Sequence, residues 1–359
     1  MLYREAGQFR TSYGADQAIF PMVQDRLGMT AILLIAYIAV PLLANQYWLS
    51  TIFVPFFVFS ITALGLNILT GYAGQLSLGT GGFMAVGAFA AFKLSTAFPG
   101  LNIVLVFIAA GIVTAAVGLV FGIPSLRIKG FYLAVATLAA QFFLIWLFVK
   151  IAWFQNYSPS GVITAPPRAV FGHFFVTGPE ARPAYKYLFT LSFAIVLALA
   201  AKNMVRGATG RKWMAIRDMD IAAEIIGIRP LKTKLSAFAV SSFYIGIGGA
   251  LWAFIYTASV EALAFDIDRS FQILFMIIIG GLGSILGSFL GAAFIILLPI
   301  LLNNLPGLLG LHVGVALVTN LQDIVYGALI VLFLIAEPNG LAALWRIGKE
   351  KLRLWPFPH

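Results

Sequence analysis

Residues 102–123 read NIVLVFIAAGIVTAAVGLVFGI, 22 consecutive residues without a charged side chain. A helix of that length rises roughly 33 Å, enough to cross a hydrocarbon core of about 30 Å, and its backbone satisfies its own hydrogen bonds on the way. Apolar runs of about this length, bounded by charges or Gly/Pro clusters, recur near 29–46, 51–69, 79–96, 131–152, 185–202, 235–257, 268–283, 285–303 and 320–337. The last but two and the last but one form a single stretch from Ser270 to Leu302, interrupted by Gly280-Gly281-Leu-Gly283-Ser284. The expected span count is therefore eight to ten. The fold class is all-α, a polytopic membrane helix bundle with Gly-broken helices in both halves.

Composition agrees and excludes other classes. The 359 residues are 61% hydrophobic and only 10% charged, with a mean hydropathy of +0.97, whereas soluble domains carry about 25% charged residues. No heptad or Gly-X-Y period runs through the apolar stretches, which excludes coiled coil and collagen. Zero cysteines remove a disulfide scaffold, a thiolate metal site and a cysteine nucleophile. The three histidines, His173, His312 and His359, are too far apart in sequence to suggest a metal cluster. A net charge of +10 would point to nucleic acid in a soluble chain; in a membrane chain its placement matters more, and no nucleic-acid partner is expected.

Residues 1–28 contain Arg4, Glu5, Arg10, Asp16, Asp25 and Arg26, too long and too acidic a segment for a cleaved signal. They read as a cytoplasmic N-terminal tail, followed by a transmembrane domain over 29–340 and a basic cytoplasmic tail over 341–359. Alternating through ten spans from that start places 17 of the 23 Lys and Arg inside; the other six are Lys93, Lys150, Arg168, Arg182, Lys186 and Arg269. The positive-inside rule then puts both termini in the cytoplasm. Two connections are too long for simple turns. The extracytoplasmic loop 153–184, with Tyr157-Ser-Pro159-Ser-Gly161 and Pro166-Pro167, is either structured or a flexible cover. The cytoplasmic loop 203–234 holds Arg206, Arg211, Lys212, Arg217, Arg229, Lys232 and Lys234.

On a single helix over 210–228, Arg217, Asp220 and Glu224 share a stripe, and Ile216, Met219, Ala222, Ala223 and Ile226 form an apolar face. Gly227 followed by Pro230 predicts the stop. Two readings stand: a helix lying on the membrane surface, or a docking helix for a cytoplasmic partner.

Ionisable groups inside the spans reduce to Lys93 and to Asp323, the latter read as a headgroup-level residue. Each would cost about 2.5–3.5 kcal/mol at mid-membrane, and without a carboxylate pair in the spans, ion-coupled transport is disfavoured. Gly-broken segments in both halves point to a translocation pathway, because unwound backbone is tolerated only where it lines a cavity or is buried in protein. Candidate pathway residues are Asn67, Gly71, Gly74, Gln75, Ser77 and Thr80 in the first half, with Gly281, Gly283 and Ser284 in the second. For the second segment the competing reading is close helix packing, since Gly283, Gly287 and Gly291 recur every fourth residue. Gly207-Ala-Thr-Gly210-Arg-Lys212 lacks the spacing and the Ser/Thr of a phosphate-binding loop, and Gly281-Leu-Gly283 follows no strand, so it is not a dinucleotide loop.

Ala222-Ala223 followed by Gly227 resembles the core of the Ala-Ala-x-x-x-Gly loop of permease subunits in ATP-binding cassette (ABC) importers. The run from Gly210 through Arg217-Asp218, Ala222-Ala223-Glu224 and Gly227-Ile228 to Lys234-Leu-Ser-Ala-Phe238 is similar to the LivM type of branched-chain amino acid permease. Three further stretches resemble that family in its order: Leu66-Asn67-Ile-Leu-Thr70-Gly71-Tyr72-Ala-Gly74-Gln75-Leu-Ser77-Leu-Gly79, then Leu126-Arg127-Ile-Lys129-Gly130-Phe131-Tyr132-Leu-Ala-Val-Ala-Thr137-Leu, then Gly280-Gly281-Leu-Gly283-Ser284-Ile-Leu-Gly287. Together the matches extend over about residues 51–340.

The resemblance implies a permease subunit without its own ATPase site in the bacterial inner membrane, moving branched-chain or other hydrophobic amino acids or related small solutes. It implies four kinds of association: a second, LivH-like permease, two cytoplasmic ATP-binding subunits that hold ATP and Mg, an extracytoplasmic solute-binding protein, and lipid. Arg211, Arg217, Asp218, Ala222, Ala223, Glu224 and Gly227 would form the ATPase-coupling helix. This chain departs from the family in having Ile221 where importers commonly place an acidic residue, and Tyr157-Ser-Pro159-Ser-Gly161 where relatives show a Thr-Gly-Gly run. The alternative class is a facilitative channel for urea or another small polar solute, which needs no docking helix. An intramembrane enzyme is disfavoured because no His, Cys or paired carboxylates face one another in the spans.

Overall fold

The computed structural model describes residues 23–125, 132–170, 174–178, 180–308 and 340–354, with a few positions between 324 and 335. The tails 1–22 and 355–359, Leu126 to Phe131, the three histidines, Asp323 and most of the span expected at 320–337 lie outside the described residues. The chain enters on α1 (Val23–Leu34), passes through a π-turn at Ile35–Ala39 into α2 (Val40–Leu43), and then runs through a π-turn at Trp48–Phe53 into α3 (Val54–Asn67). A further π-turn, Ile68–Tyr72, ends that rod; α4 (Thr80–Ala97), α5 (Ile103–Ser125) and α6 (Tyr132–Lys150) follow. After short strands β1 (Val162–Thr164), β2 (Ala169–Val170) and β3 (Phe174–Phe175) come α7 (Pro183–Arg206), α8 (Ala208–Asp218), α9 (Asp220–Ile225) and α10 (Pro230–Leu251). A π-turn at Trp252–Tyr256, β4 (Ser259–Glu261) and a 3-10 turn at Ala262–Phe265 lead into α11 (Ile267–Gly280), α12 (Ile285–Leu308) and α13 (Gly340–Leu354).

Among the described residues seven helical rods are long and apolar enough to cross a membrane: Arg26–Leu43, Trp48–Tyr72, Ile103–Pro124, Tyr132–Lys150, Pro183–Arg206, Pro230–Tyr256 and Ile285–Asn304. The runs expected at 79–96 and 268–283 are helices of 18 and 14 residues, α4 and α11. The chain is thus an all-α polytopic membrane bundle. Burial sorts the rods. Those ending at Tyr72 and Tyr256 are enclosed along nearly all their length: they pack directly on each other, and α4 packs on the second, where small and polar residues such as Ser60, Thr62, Ser241, Ser242 and Gly246 allow close approach. The α5, α6 and α7 rods bury only one stripe and leave Ile112, Phe142, Trp146 and Val196 open, the surface that meets lipid in a membrane protein.

The central crossings depend on glycine. A Cβ on Gly87 of α4 would lie 2.0 Å from the Gly246 carbonyl oxygen of α10, and one on Gly249 would lie 2.0 Å from that of Met84. Such approach maximises dispersion contact where no hydrophobic effect favours one helix over lipid. In the second half, Gly287 and Gly291 face α11, where Cβ atoms would fall 2.7 Å from the Gly280 oxygen and 1.8 Å from the Met276 oxygen. Gly283 stands outside that row. The helix begins only at Ile285, and Gly283 sits in the preceding turn at φ +72°.

Two stretches differ from sequence expectation or complete it. The single helix over 210–228 is two: Met219 is extended (φ −160°, ψ 95°) and divides α8 from α9. The break turns Trp213, Ile216 and Ala223 inward and leaves Met219, Ala222 and Ile226 exposed, so neither the charged stripe nor the apolar face exists as one surface. Gly227, at φ +90°, closes α9 with Ile228 N–H donating to the Ala223 carbonyl, a left-handed helix stop. The long loop after α6 is structured. β1 pairs antiparallel with β4 in the register Val162↔Glu261, and β2 pairs with β3. Since β4 follows α10, this small sheet lies at the end of the bundle opposite α8 and α9.

Gly87→Ala should lower the detergent-solubilised melting temperature by several degrees, consistent with an overpacking cost of about 1–3 kcal/mol. Gly100→Ala, with open space around its Cβ position, should leave it unchanged.

Candidate functional site

The polar centre of the molecule is where the two Gly-broken segments meet. The last turn of α3 delivers Asn67, fully buried, to the turn between α11 and α12. Its Nδ2 donates to the Ser284 carbonyl at 2.8 Å and to Ser288 Oγ at 2.9 Å, and lies 3.5 Å from the Gly281 carbonyl. Its Oδ1 accepts from Gly283 N–H at 2.8 Å. One amide thereby covers the donors and acceptors that the break between α11 and α12 leaves open, which lipid cannot do. The backbones then touch. A Cβ on Gly71 would sit 2.2 Å from Gly283 N, so the π-turn can approach only as glycine. Gly281 is itself held against the start of α13, where a Cβ on Gly340 would lie 2.7 Å from its nitrogen.

The basic loop reaches into this junction. Arg217, the penultimate residue of α8, donates from Nη1 to the Gly71 carbonyl at 2.9 Å, and its Nε and Nη2 both bind Asp218 Oδ1 at 2.9 Å. Gly74, at φ +68°, passes so close that a Cβ would lie 2.9 Å from Arg217 Cγ. Trp213 anchors the same helix from the other side, fully buried and donating to Ser236 Oγ on α10 at 2.9 Å. A second contact joins Lys234 to Asp220 at 3.8 Å. Beyond these anchors Arg211, Ala222 and Glu224 are exposed, and Ile225 and Ile226 stand 81% and 74% open.

A second polar cluster organises the start of α4. Gly81 N–H donates to Ser270 Oγ at 2.8 Å and Gly82 N–H to Gln141 Oε1, while Ser270 Oγ donates to the same Oε1 at 3.1 Å. Gln141 Nε2 in turn reaches the Phe265 carbonyl at 2.8 Å, and Thr137 Oγ1 accepts from Leu78 N–H at 3.0 Å. Side chains of α6 and α11 thus supply the partners that a helix N-terminus leaves unpaired. Between the two clusters Ser77 Oγ accepts from Gly79 N–H at 3.4 Å. The Gln75 amide and Thr80 Oγ1 are buried without a hydrogen-bond partner among the described residues, an expensive state inside protein.

The structure therefore brings Asn67, Gly71, Gly74, Gly281, Gly283, Ser284 and Arg217 into one junction, with Gln75, Ser77 and Thr80 on the segment leading out of it. Sequence reasoning did not connect Arg217 to Gly71, and it passed over Gln141, Ser270 and Ser288. Gln141 carried a usable signal, a lone amide in a long apolar helix. Lys93 lies over the Trp153 ring at 4.2 Å, near the end of α4. No cluster of three metal-ligating side chains occurs among the described residues.

A multi-pass α-helical membrane bundle with paired broken helices tied to a basic loop is the frame of a permease subunit. The chain belongs to the family described as branched-chain amino acid transport system / permease component, which matches residues 48–334. It is 29% identical over 346 residues to the high-affinity branched-chain amino acid transport system permease protein LivM of Salmonella typhimurium, covering 90% of this chain and 76% of the relative. It is 28% identical over 311 residues to LivM of Escherichia coli K12, covering 80% and 68%. A probable branched-chain amino acid transport permease protein LivM of Methanocaldococcus jannaschii is 25% identical over 277 residues, covering 68% and 78%. No solved structure matches.

Asn67→Ala should destabilise the protein by about 1–3 kcal/mol, because the half-buried Gly283 N–H loses its acceptor and the Ser284 carbonyl its donor. Hydrogen exchange should accelerate first at residues 281–288, and a thermal melt should record the loss.

Proposed function

We propose that this chain is one permease subunit of an ABC importer for branched-chain or other hydrophobic amino acids or related small solutes. Its place is the bacterial inner membrane, with both termini and the 203–234 loop in the cytoplasm. It pairs with a second, LivH-like permease and rests on two ATP-binding subunits, which hold ATP and Mg. A solute-binding protein delivers cargo from the other side. Family membership and the relatives' names support this reading. The observation that carries it is the hydrogen bond from Arg217 to the Gly71 carbonyl, a direct link between a protein-facing loop and the broken helices.

In this reading Met219, Ala222, Glu224, Ile225 and Ile226 meet the ATPase, with Arg211 beside them and Gly227 shaping the turn. Closure of the ATPase dimer displaces α8 and α9 as one unit, since Trp213 and Ala223 are buried against the bundle. Arg217, paired with Asp218, passes that displacement to Gly71, and the Asn67 clamp carries it to Gly281–Ser284. The two halves then rock between inward- and outward-facing states, a rigid-body transition between packed arrangements. Gln75, Ser77 and Thr80 line the pathway at the start of α4, where the unpaired Gln75 amide and Thr80 hydroxyl offer polar contacts to cargo.

Ile225→Arg/Ile226→Arg changes two exposed positions, so the permease should fold normally, lose ATPase co-purification and lose uptake by about tenfold or more. Uptake that persists with no ATPase bound would instead favour a facilitative channel. Arg217→Ala should keep the ATPase bound yet reduce uptake per ATP hydrolysed, measured with the complete complex in proteoliposomes. Gln75→Leu, if Gln75 lines the pathway, should change transport kinetics while leaving complex assembly intact; unchanged kinetics across several cargoes would remove it from the pathway.

A further inference from the structure

At the end of the bundle opposite the Arg217 junction, the rod of α10 ends in the Trp252–Tyr256 π-turn and the chain re-enters the bundle as α11. Three residues into α11 stands Arg269, half-buried, its guanidinium carbon 4.6 Å from the centre of the Trp252 ring and 5.2 Å from that of Phe59. Phe59, Trp252 and Tyr256 form a continuous aromatic wall, with ring centres 4.9 and 4.5 Å apart. The cation is stacked, and the Asp266 carboxylate acts on it only from beyond ion-pair distance. Nη1 donates to Gln272 Oε1 at 2.7 Å, and Asp266 spends its Oδ1 on the Arg269 backbone N–H at 3.2 Å as the cap of α11. Arg269 forms no ion pair within 4 Å among the described residues. Two N–H donors in this one cluster, Arg269 Nε and Trp252 Nε1, are buried without an acceptor among the described residues, and Trp252 is 7% exposed.

A buried donor without an acceptor costs about 1–3 kcal/mol, and more beside an unpaired charge. Aromatic faces supply attraction for a cation but no acceptor for its in-plane N–H groups. What these two N–H groups lack is an oxygen acceptor of the kind a small anion carries. From Arg269 to Gly281 the helix rises about 18 Å, so this point lies roughly half a membrane thickness or more above the junction.

We propose that Arg269 and Trp252 form a carboxylate-binding station on the entry side of the pathway, at which the α-carboxylate of an amino-acid cargo is held while its apolar side chain lies on Tyr256, the exposed end of the aromatic wall. This rests on the importer reading and deepens it. Selection at this station is for the carboxylate common to amino acids, and the aromatic wall favours an apolar side chain over a charged one. No group in the station is consumed, so release requires only that the α11 and α10 ends separate as the bundle rocks.

The test uses the complete importer, with its own ATPases and binding protein, in proteoliposomes. Arg269→Gln should lower uptake at saturating loaded binding protein by about tenfold or more, the scale of a charge-assisted hydrogen bond. Trp252→Phe keeps the ring and removes the N–H, and should lower uptake several-fold; Arg269→Lys should recover part of the loss. Stimulation of ATPase by the loaded binding protein should stay within about twofold in all three, separating cargo passage from docking. Independently, tryptophan fluorescence of the purified permease should respond to 4-methylpentanoate and not to leucinamide, and Arg269→Gln should abolish that response. Wild-type uptake in Arg269→Gln and Trp252→Phe, or equal responses to the two probes, overturns the station. Wild-type vesicles without ATP-dependent uptake overturn the importer reading instead, and the fluorescence arm then still decides the carboxylate site.

Discussion

Everything in this bundle answers to one constraint: a helix that stops inside a membrane exposes backbone groups that lipid cannot pair. The chain interrupts helices on both sides of its midpoint, and each interruption is closed by a side chain from elsewhere. Asn67, reaching from α3, covers the turn between α11 and α12 with both ends of its amide. Gln141 and Ser270, from α6 and α11, cover the start of α4. These are exchanges across the chain. Each half supplies the acceptor or donor that the other half lacks, so the halves are coupled by the same hydrogen bonds that make them foldable.

Glycine makes the exchange short-range enough to work. Gly71 lets the π-turn touch Gly283, and Gly87 and Gly246 let α4 and α10 cross at backbone contact. Arg217 then extends the junction out of the membrane. Its guanidinium has several donors in a fixed fork, so it can hold the Gly71 carbonyl and Asp218 together. A buried indole on one side and this fork on the other pin α8 to the bundle.

Much of this was legible beforehand. The run at 102–123 and its counterparts announced the bundle because spanning helices need length and apolarity, both local properties. Gly280-Gly281-Leu-Gly283-Ser284 announced a break for the same reason, and Gly227 announced a stop that appears as a left-handed turn at φ +90°. The single helix over 210–228 did not survive, since periodicity counts residues and cannot register that Trp213, Ala223 and Arg217 are each held by different neighbours. Asn67 could be singled out as polar in an apolar stretch, yet the identity of its partners, more than 210 positions away, lies beyond any local pattern. Arg269 looked like one of six basic residues on the far side; its aromatic wall and unpaired donors come from α3, the end of α10 and α11 together.

The sequence by itself determined the solvent, the helical class, the places where helices must break and the uneven distribution of charge, because each follows from composition and spacing along one stretch of chain. Only the tertiary structure decided which break meets which, that Arg217 binds Gly71, that α8 and α9 are separate helices, and that Arg269 is stacked on rings with no ion pair among the described residues. Those facts are matters of hydrogen-bond direction and approach distance between distant segments. They are settled when glycines allow backbones to touch and the remaining buried donors and acceptors must find one another.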